Sequence, residues 1–121
     1  MDSPLRQRPK KDLDMANDKT LNGDLSYVLE TALGLVTGNR AEQHGDAYDQ
    51  CTLAAKFWTT YLQGRGCMED DVILEPHDVT QMMVLMKMSR DILGSFNPDT
   101  FVDQAGYSAL SFGIKNRDYG A

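Results

Sequence analysis

Lys87 and Arg90 stand three residues apart inside the methionine-rich run Met82-Met83-Val84-Leu85-Met86-Lys87-Met88-Ser89-Arg90, and Asp99 and Asp103 stand four apart in Asp99-Thr100-Phe101-Val102-Asp103-Gln104-Ala105-Gly106-Tyr107. Residues at these spacings share one face of a helix. Charge on a face that should otherwise pack is costly unless it is paired or used. Two chemistries fit the four residues. One is a two-pair salt-bridge ladder between neighbouring helices. The other is a site in which the aspartates hold a divalent cation while Lys87 and Arg90 hold phosphate oxygens.

The elements that must position these residues read as four helices. Asp24 is an N-cap candidate for a first helix over 24–37, with Leu25, Val28, Leu29, Ala32, Leu33 and Val36 as its apolar stripe and Gly38-Asn39 as its stop. Asp46 caps a second helix over 47–62, with Cys51, Ala54, Ala55, Trp58, Tyr61 and Leu62 on one side and Gly64-Arg65-Gly66 beyond it. Pro76 suits the first position of a third helix that runs to Leu93 and stops at Gly94. Val79, Met82, Met83, Met86 and Leu93 make its stripe, and the methionines read as bundle core. Asn97-Pro98-Asp99 opens a fourth helix reaching about Ile114, within which Gly106 implies close approach of another chain segment. Only Gly94-Ser95-Phe96 separates the last two helices, so they should be antiparallel neighbours that bring Lys87, Arg90, Asp99 and Asp103 together. No run reads as a strand that could build a sheet. The expected fold is all-α, a four-helix bundle over residues 23–117, after a polar, disordered arm over 1–22 and before a short tail over 118–121.

Elsewhere the segment Arg40 to Asp46 gathers Glu42, His44 and Asp46. His44 can be a base, a ligand or a hydrogen-bonded capping residue, and Arg40 and Glu42 can pair locally. Trp58 and Tyr61 can stack on a base, or serve as plain core. The acidic run Glu69-Asp70-Asp71 reads as a solvated loop, because hard cations want ligands converging from several backbone positions. A glycine-rich phosphate loop, a nucleophile elbow and a His-Glu-x-x-His helix are all missing from the sequence.

Bulk properties narrow the classes. The 121 residues suit one domain, and no apolar run approaches a bilayer span. Net charge is −6, yet residues 1–11 carry Arg6, Arg8, Lys10 and Lys11 against Asp2, so the remainder is strongly acidic. An acidic body argues against duplex nucleic acid as the main partner. Cys51 and Cys67 form no metal-binding spacing and fit a reducing, cytoplasmic setting.

Taken in order, Arg40-Ala41-Glu42-Gln43-His44-Gly45-Asp46, Phe57-Trp58, Asp78-Val79, Met82-Met83, Lys87-x-x-Arg90 and Asp103-x-Ala105-Gly106-Tyr107 resemble a small domain of uncharacterised function common in tailed phages and prophages. The resemblance covers about residues 25–115. Where the usual form has Tyr-Gly, this chain has His44-Gly45. That domain is in turn distantly similar to the MazG-like all-α nucleoside triphosphate pyrophosphohydrolases, oligomeric helical bundles that hold magnesium on two acidic motifs. By that resemblance Asp99 and Asp103 fall on the second motif and act as catalytic metal ligands, while Lys87 and Arg90 stand where the first motif has acids. The implied cofactor is Mg2+, held by Asp99, Asp103, Glu42 and Asp46. Lys87, Arg90 and Arg40 would contact phosphate, and Trp58, Tyr107 or His44 the base. Two functions follow. The first is a phage-encoded protein of the host cytoplasm that binds, and by resemblance hydrolyses, a nucleotide. The second is a non-catalytic interaction protein, an inhibitor of a host enzyme or defence system or a minor virion component. A homo-oligomer is expected under both, and a membrane partner under neither.

Overall fold

The computed structural model describes residues 20–38 and 46–120, and these form four α-helices. They are α1 (Leu21–Thr37), α2 (Ala47–Gly64), α3 (Pro76–Leu93) and α4 (Pro98–Tyr119). The basic residues of the N-terminal arm, and Arg40, Glu42 and His44, lie outside the described residues.

Local chemistry sets most of the boundaries. Asp46 accepts from the Asp49 backbone N–H at 3.1 Å and starts α2. Asn97 accepts from the Asp99 N–H at 3.0 Å and starts α4, with Pro98 next. Helix α2 ends in a Schellman closure. Gly66 takes φ +74°, its N–H reaches the Gln63 carbonyl at 3.0 Å, and the Cys67 N–H reaches that of Leu62 at 2.8 Å. Two boundaries differ from the sequence reading. Helix α1 begins a turn earlier, because the Thr20 hydroxyl rather than Asp24 accepts from Gly23 N–H at 3.1 Å. Helix α4 continues past Ile114 to Tyr119, where its last turn finds partners on α2 and α3.

Packing is most extensive between α3 and α4. Helix α1 then lies on α4, and α2 on α3. The spatial order is therefore α1, α4, α3, α2, with α4 and α3 in the middle. Gly106 is buried where α4 meets α1, and a Cβ there would stand 3.3 Å from Val36 Cγ1. Among the described residues the buried apolar ones are Ala32, Ala55, Val79, Val102 and Ile114. Several residues expected in the core are instead exposed: Leu25, Leu29 and Leu33 on α1, Tyr61 on α2, and Met82, Met86 and Leu93 on α3. For α1 and α2 the physical reason is the spatial order: a helix at the end of the row packs on one neighbour, so much of its apolar stripe stays uncovered. On α3, inside the row, the buried positions are Val79 and Thr80 rather than the methionine stripe.

The segment between α2 and α3 is pinned to α2. Buried Thr59 accepts from the Leu74 N–H at 2.9 Å, and the Gln63 amide donates to the carbonyls of Asp70 and Val72 at 3.2 and 2.9 Å. Glu69, Asp70 and Asp71 all remain exposed.

Candidate functional site

The α3–α4 hairpin closes one of the two expected charge pairs. Lys87 Nζ lies 3.0 Å from Asp103 Oδ2, with the lysine side chain 14% exposed and the aspartate 35%. The lysine stem is thus laid along the helix packing while its ammonium meets the carboxylate at the edge. Arg90 and Asp99 are exposed, and no ion pair joins them among the described residues. The ladder is half built: Asp103, one turn into α4, meets Lys87, whereas Asp99 belongs to the first turn of α4 and is exposed.

Beside that hairpin, α1 and the start of α4 enclose a groove of about 440 Å³. Leu25, Val28, Phe96, Pro98, Phe101 and Gln104 are among its walls. It is open, mostly apolar, and of a size that accepts a small organic ligand. Asp24 is the acid among its walls; Asp99 follows Pro98 in the chain, is exposed and is not one of the lining residues. Sequence reasoning did not find this groove, since it joins residues some 70 positions apart. Trp58 and Tyr107 are half-buried and do not line it.

Magnesium finds no ready set of three converging ligands around Asp99 and Asp103 among the described residues. Asp103 is engaged by Lys87, and Asp46 serves as the cap of α2. A magnesium ion there would have to arrive with phosphate, as is usual where one or two carboxylates share it with a substrate. No hydrolytic step is derived from these residues.

The opposite end of α3 holds a constellation that the sequence did not announce. Glu75, His77 and Asp78 place potential ligand atoms within 4.8 Å of one another. Asp78 Oδ2 accepts from the Glu75 backbone N–H at 2.8 Å, a capping contact at the helix start. Tyr119, from the last turn of α4, donates its hydroxyl to Glu75 Oε1 and sets its ring edge-on to His77, centroids 6.0 Å apart. This hydrogen bond raises the Tyr119 pKa above the ordinary value, with desolvation adding to it. A parallel contact anchors the same turn to α2. The Tyr48 hydroxyl donates to Asp118 Oδ1 at 2.6 Å, and the Arg117 guanidinium lies 3.9 Å over the Tyr48 ring. That bond to Asp118 raises the Tyr48 pKa. No motif in the sequence singles out His77 and its neighbouring acids, and nothing local announces Tyr119.

No helix among the described residues is long and apolar enough to cross a membrane. A family model described as a domain of unknown function, DUF6378, matches residues 27–115. The Gene 55 protein of Mycobacterium phage L5 is 35% identical over 83 residues, covering 69% of this chain and 49% of that protein. The chain thus spans about half the length of this curated relative. No solved structure matches the chain.

Proposed function

We propose, from the premise that the chain belongs to the DUF6378 family of domains of unknown function, that it is a phage-encoded protein which binds a phosphate-bearing ligand, a nucleotide first among them, at the α3–α4 hairpin. The observation that carries this reading is the mostly apolar groove of about 440 Å³, walled in part by Phe96 and Pro98 where α3 connects to α4, with exposed Asp99 next to Pro98 in the chain. The apolar interior suits a base, with Phe96 and Phe101 as the aromatic walls. Asp99 suits a magnesium ion carried by the phosphates. Arg90, exposed near the end of α3, suits the phosphate oxygens. Lys87 is committed to Asp103 and contributes to the hairpin's shape more than to the ligand's charge. The nucleotide class is what the resemblance of the sequence motifs to MazG-like pyrophosphohydrolases would imply, a resemblance that neither the family match nor any solved structure carries. The reading is binding, since the described residues bring together too few acids for the metal-dependent hydrolysis of that group.

Calorimetry with the common nucleoside triphosphates, with and without magnesium, tests it. Binding should be seen for at least one nucleotide and should weaken about tenfold or more in Asp99→Asn and Arg90→Ala, each lost charge-assisted contact costing about 1.5–3 kcal/mol. Both residues are exposed, so these variants keep their fold. No heat with any nucleotide sinks the proposal.

A second reading is favoured by another observation, which shares Leu25 and Leu29 with the groove. Leu25, Leu29 and Leu33 on α1 are 52, 64 and 59% exposed, and Leu53, Phe57 and Tyr61 on α2 are 52, 63 and 65% exposed. Each set recurs every four residues and forms a continuous apolar stripe. Such stripes suit association, either with further copies of this chain or with a host or phage protein as a non-catalytic partner. Sedimentation analysis separates the cases: a monomer at all concentrations removes the homo-oligomer, and Leu29→Glu with Phe57→Glu should disperse one that forms.

A further inference from the structure

We infer that the outer face of α3 is an interface between two copies of this chain, the two α3 helices pairing antiparallel about a two-fold axis between Met86 and Ser89. This rests on the association reading above, commits it to a second copy and names a further face for the contact.

Met82, Leu85, Met86, Ser89, Ile92 and Leu93 occupy the a, d and e positions of two successive heptads, so they share one side of α3. The other side turns inward: Thr80 is buried against Ser111, and Lys87 meets Asp103. On the outer side Met82, Leu85, Met86, Ile92 and Leu93 are 39, 63, 50, 59 and 77% exposed, with Met88 at the edge 43% exposed. A helix that is apolar on both sides has two surfaces to cover, and the fold covers one. A contiguous apolar strip of this length is rare on a free surface and marks a contact.

A second copy fits this face in size, charge and shape. Fully exposed Leu, Ile and Met present about 190 Å² each, so these apolar side chains hold roughly 600 Å² per copy, or about 1,200 Å² for two, the lower limit of a specific interface. The chain carries a net charge of −6, which opposes self-association, yet no residue of the strip is charged. Bulk sits beside a gap, since Met86 is large and Ser89 is small. In an antiparallel pair about an axis between them, Met86 sits over the partner's Ser89 and Met82 over the partner's Leu93. One strip thus fills itself, as an isologous contact requires. Methionine suits such a seam because its unbranched side chain adapts to the surface it meets. The interior calls for the same contact. Among the described residues five apolar side chains are buried, a small core for a chain of 121 residues. The partner present wherever this chain is made is another copy of it.

The test uses the full chain carrying Cys51→Ala and Cys67→Ser, so that a single introduced thiol reports. Ser89 lies close to the proposed axis, whereas Met82 and the partner's Met82 stand about 16 Å apart along the helices. A short thiol cross-linker should therefore join Ser89→Cys into a covalent dimer and leave Met82→Cys unlinked. In sedimentation, Leu85→Glu with Ile92→Glu should give a smaller species than the unaltered chain at the same concentration. Both residues are exposed, and circular dichroism checks that the helices persist. A chain that is a monomer at every concentration removes the association reading and the α3 contact with it. An assembly that keeps its mass in the folded Leu85→Glu, Ile92→Glu variant overturns the α3 contact alone. Equal linking at both cysteine positions, or none at Ser89→Cys in a chain that associates, overturns the antiparallel pair even where the glutamate variant fails to fold.

Discussion

The two ends of α3 present charge in opposite ways. At its C-terminal end the sequence advertises four charged residues at helical spacing, and the structure closes only Lys87 onto Asp103. At its N-terminal end the sequence shows little more than a proline preceded by Glu75 and followed by His77 and Asp78. There the structure converges Glu75, His77 and Asp78, and brings Tyr119 across from a position 44 residues away. Spacing along a helix places side chains on a face. It does not decide which faces meet, or at what height along the neighbour. Conspicuous charges can therefore point to solvent while unremarkable ones meet.

The largest effect that would sharpen this contrast lies at the hairpin. Asp103→Asn leaves Lys87, only 14% exposed, without its carboxylate, and should lower stability by about 2 kcal/mol in denaturant titration. Arg90→Ala, one turn away but exposed, should change stability by no more than about 0.5 kcal/mol. Equal losses in the two variants would mean that both rungs of the ladder contribute, and the contrast would fail.

At the other end Asp78→Ala removes the oxygen that accepts from the Glu75 N–H. It should destabilise the protein by about 1 kcal/mol in denaturant titration, the usual value of a helix cap. Stability unchanged by Asp78→Ala would mean that this contact contributes nothing to the start of α3.

The smallest effect is visible only in alkali. Tyr119 and Tyr48 have raised pKa values because each phenol donates to a carboxylate, Glu75 and Asp118 respectively. A group whose folded pKa lies above its unfolded value stabilises below the unfolded pKa, here 10.0, and that stability is lost as pH rises through the folded value. The unfolding midpoint should therefore fall on going from about pH 9 to about pH 11, and less steeply in Tyr119→Phe. A slope unchanged by Tyr119→Phe would remove the clasp between α4 and the start of α3.

Much of the fold is legible in the sequence because helix ends are local. Asp46 with Asp49, Asn97 with Asp99, Pro76, and the closure at Gly66 are settled within a few residues. Gly106 also announces the close approach that α1 makes through Val36. The start of α1 is ambiguous in the sequence because Thr20 and Asp24 are both competent caps and lie one turn apart. The site is less legible. The spacing of Asp99 and Asp103 implies that they act together, yet Asp103 is engaged by Lys87 and Asp99 faces solvent.

By itself, then, the sequence determined an all-helical chain of four elements, an acidic body, and membership of a family that the match over residues 27–115 defines. Those properties depend on composition, on period and on hydrogen bonds between near neighbours. Only the tertiary structure decided that α3 and α4 lie between α1 and α2, that a groove opens between α1 and the start of α4, and that the last turn of α4 reaches both Tyr48 and Glu75. Those depend on how helices cross. Crossing is set by the summed packing of many side chains, such as Val36 against Gly106 and Ser111 donating to Thr80 at 2.6 Å in the interior, and no short stretch of sequence encodes it.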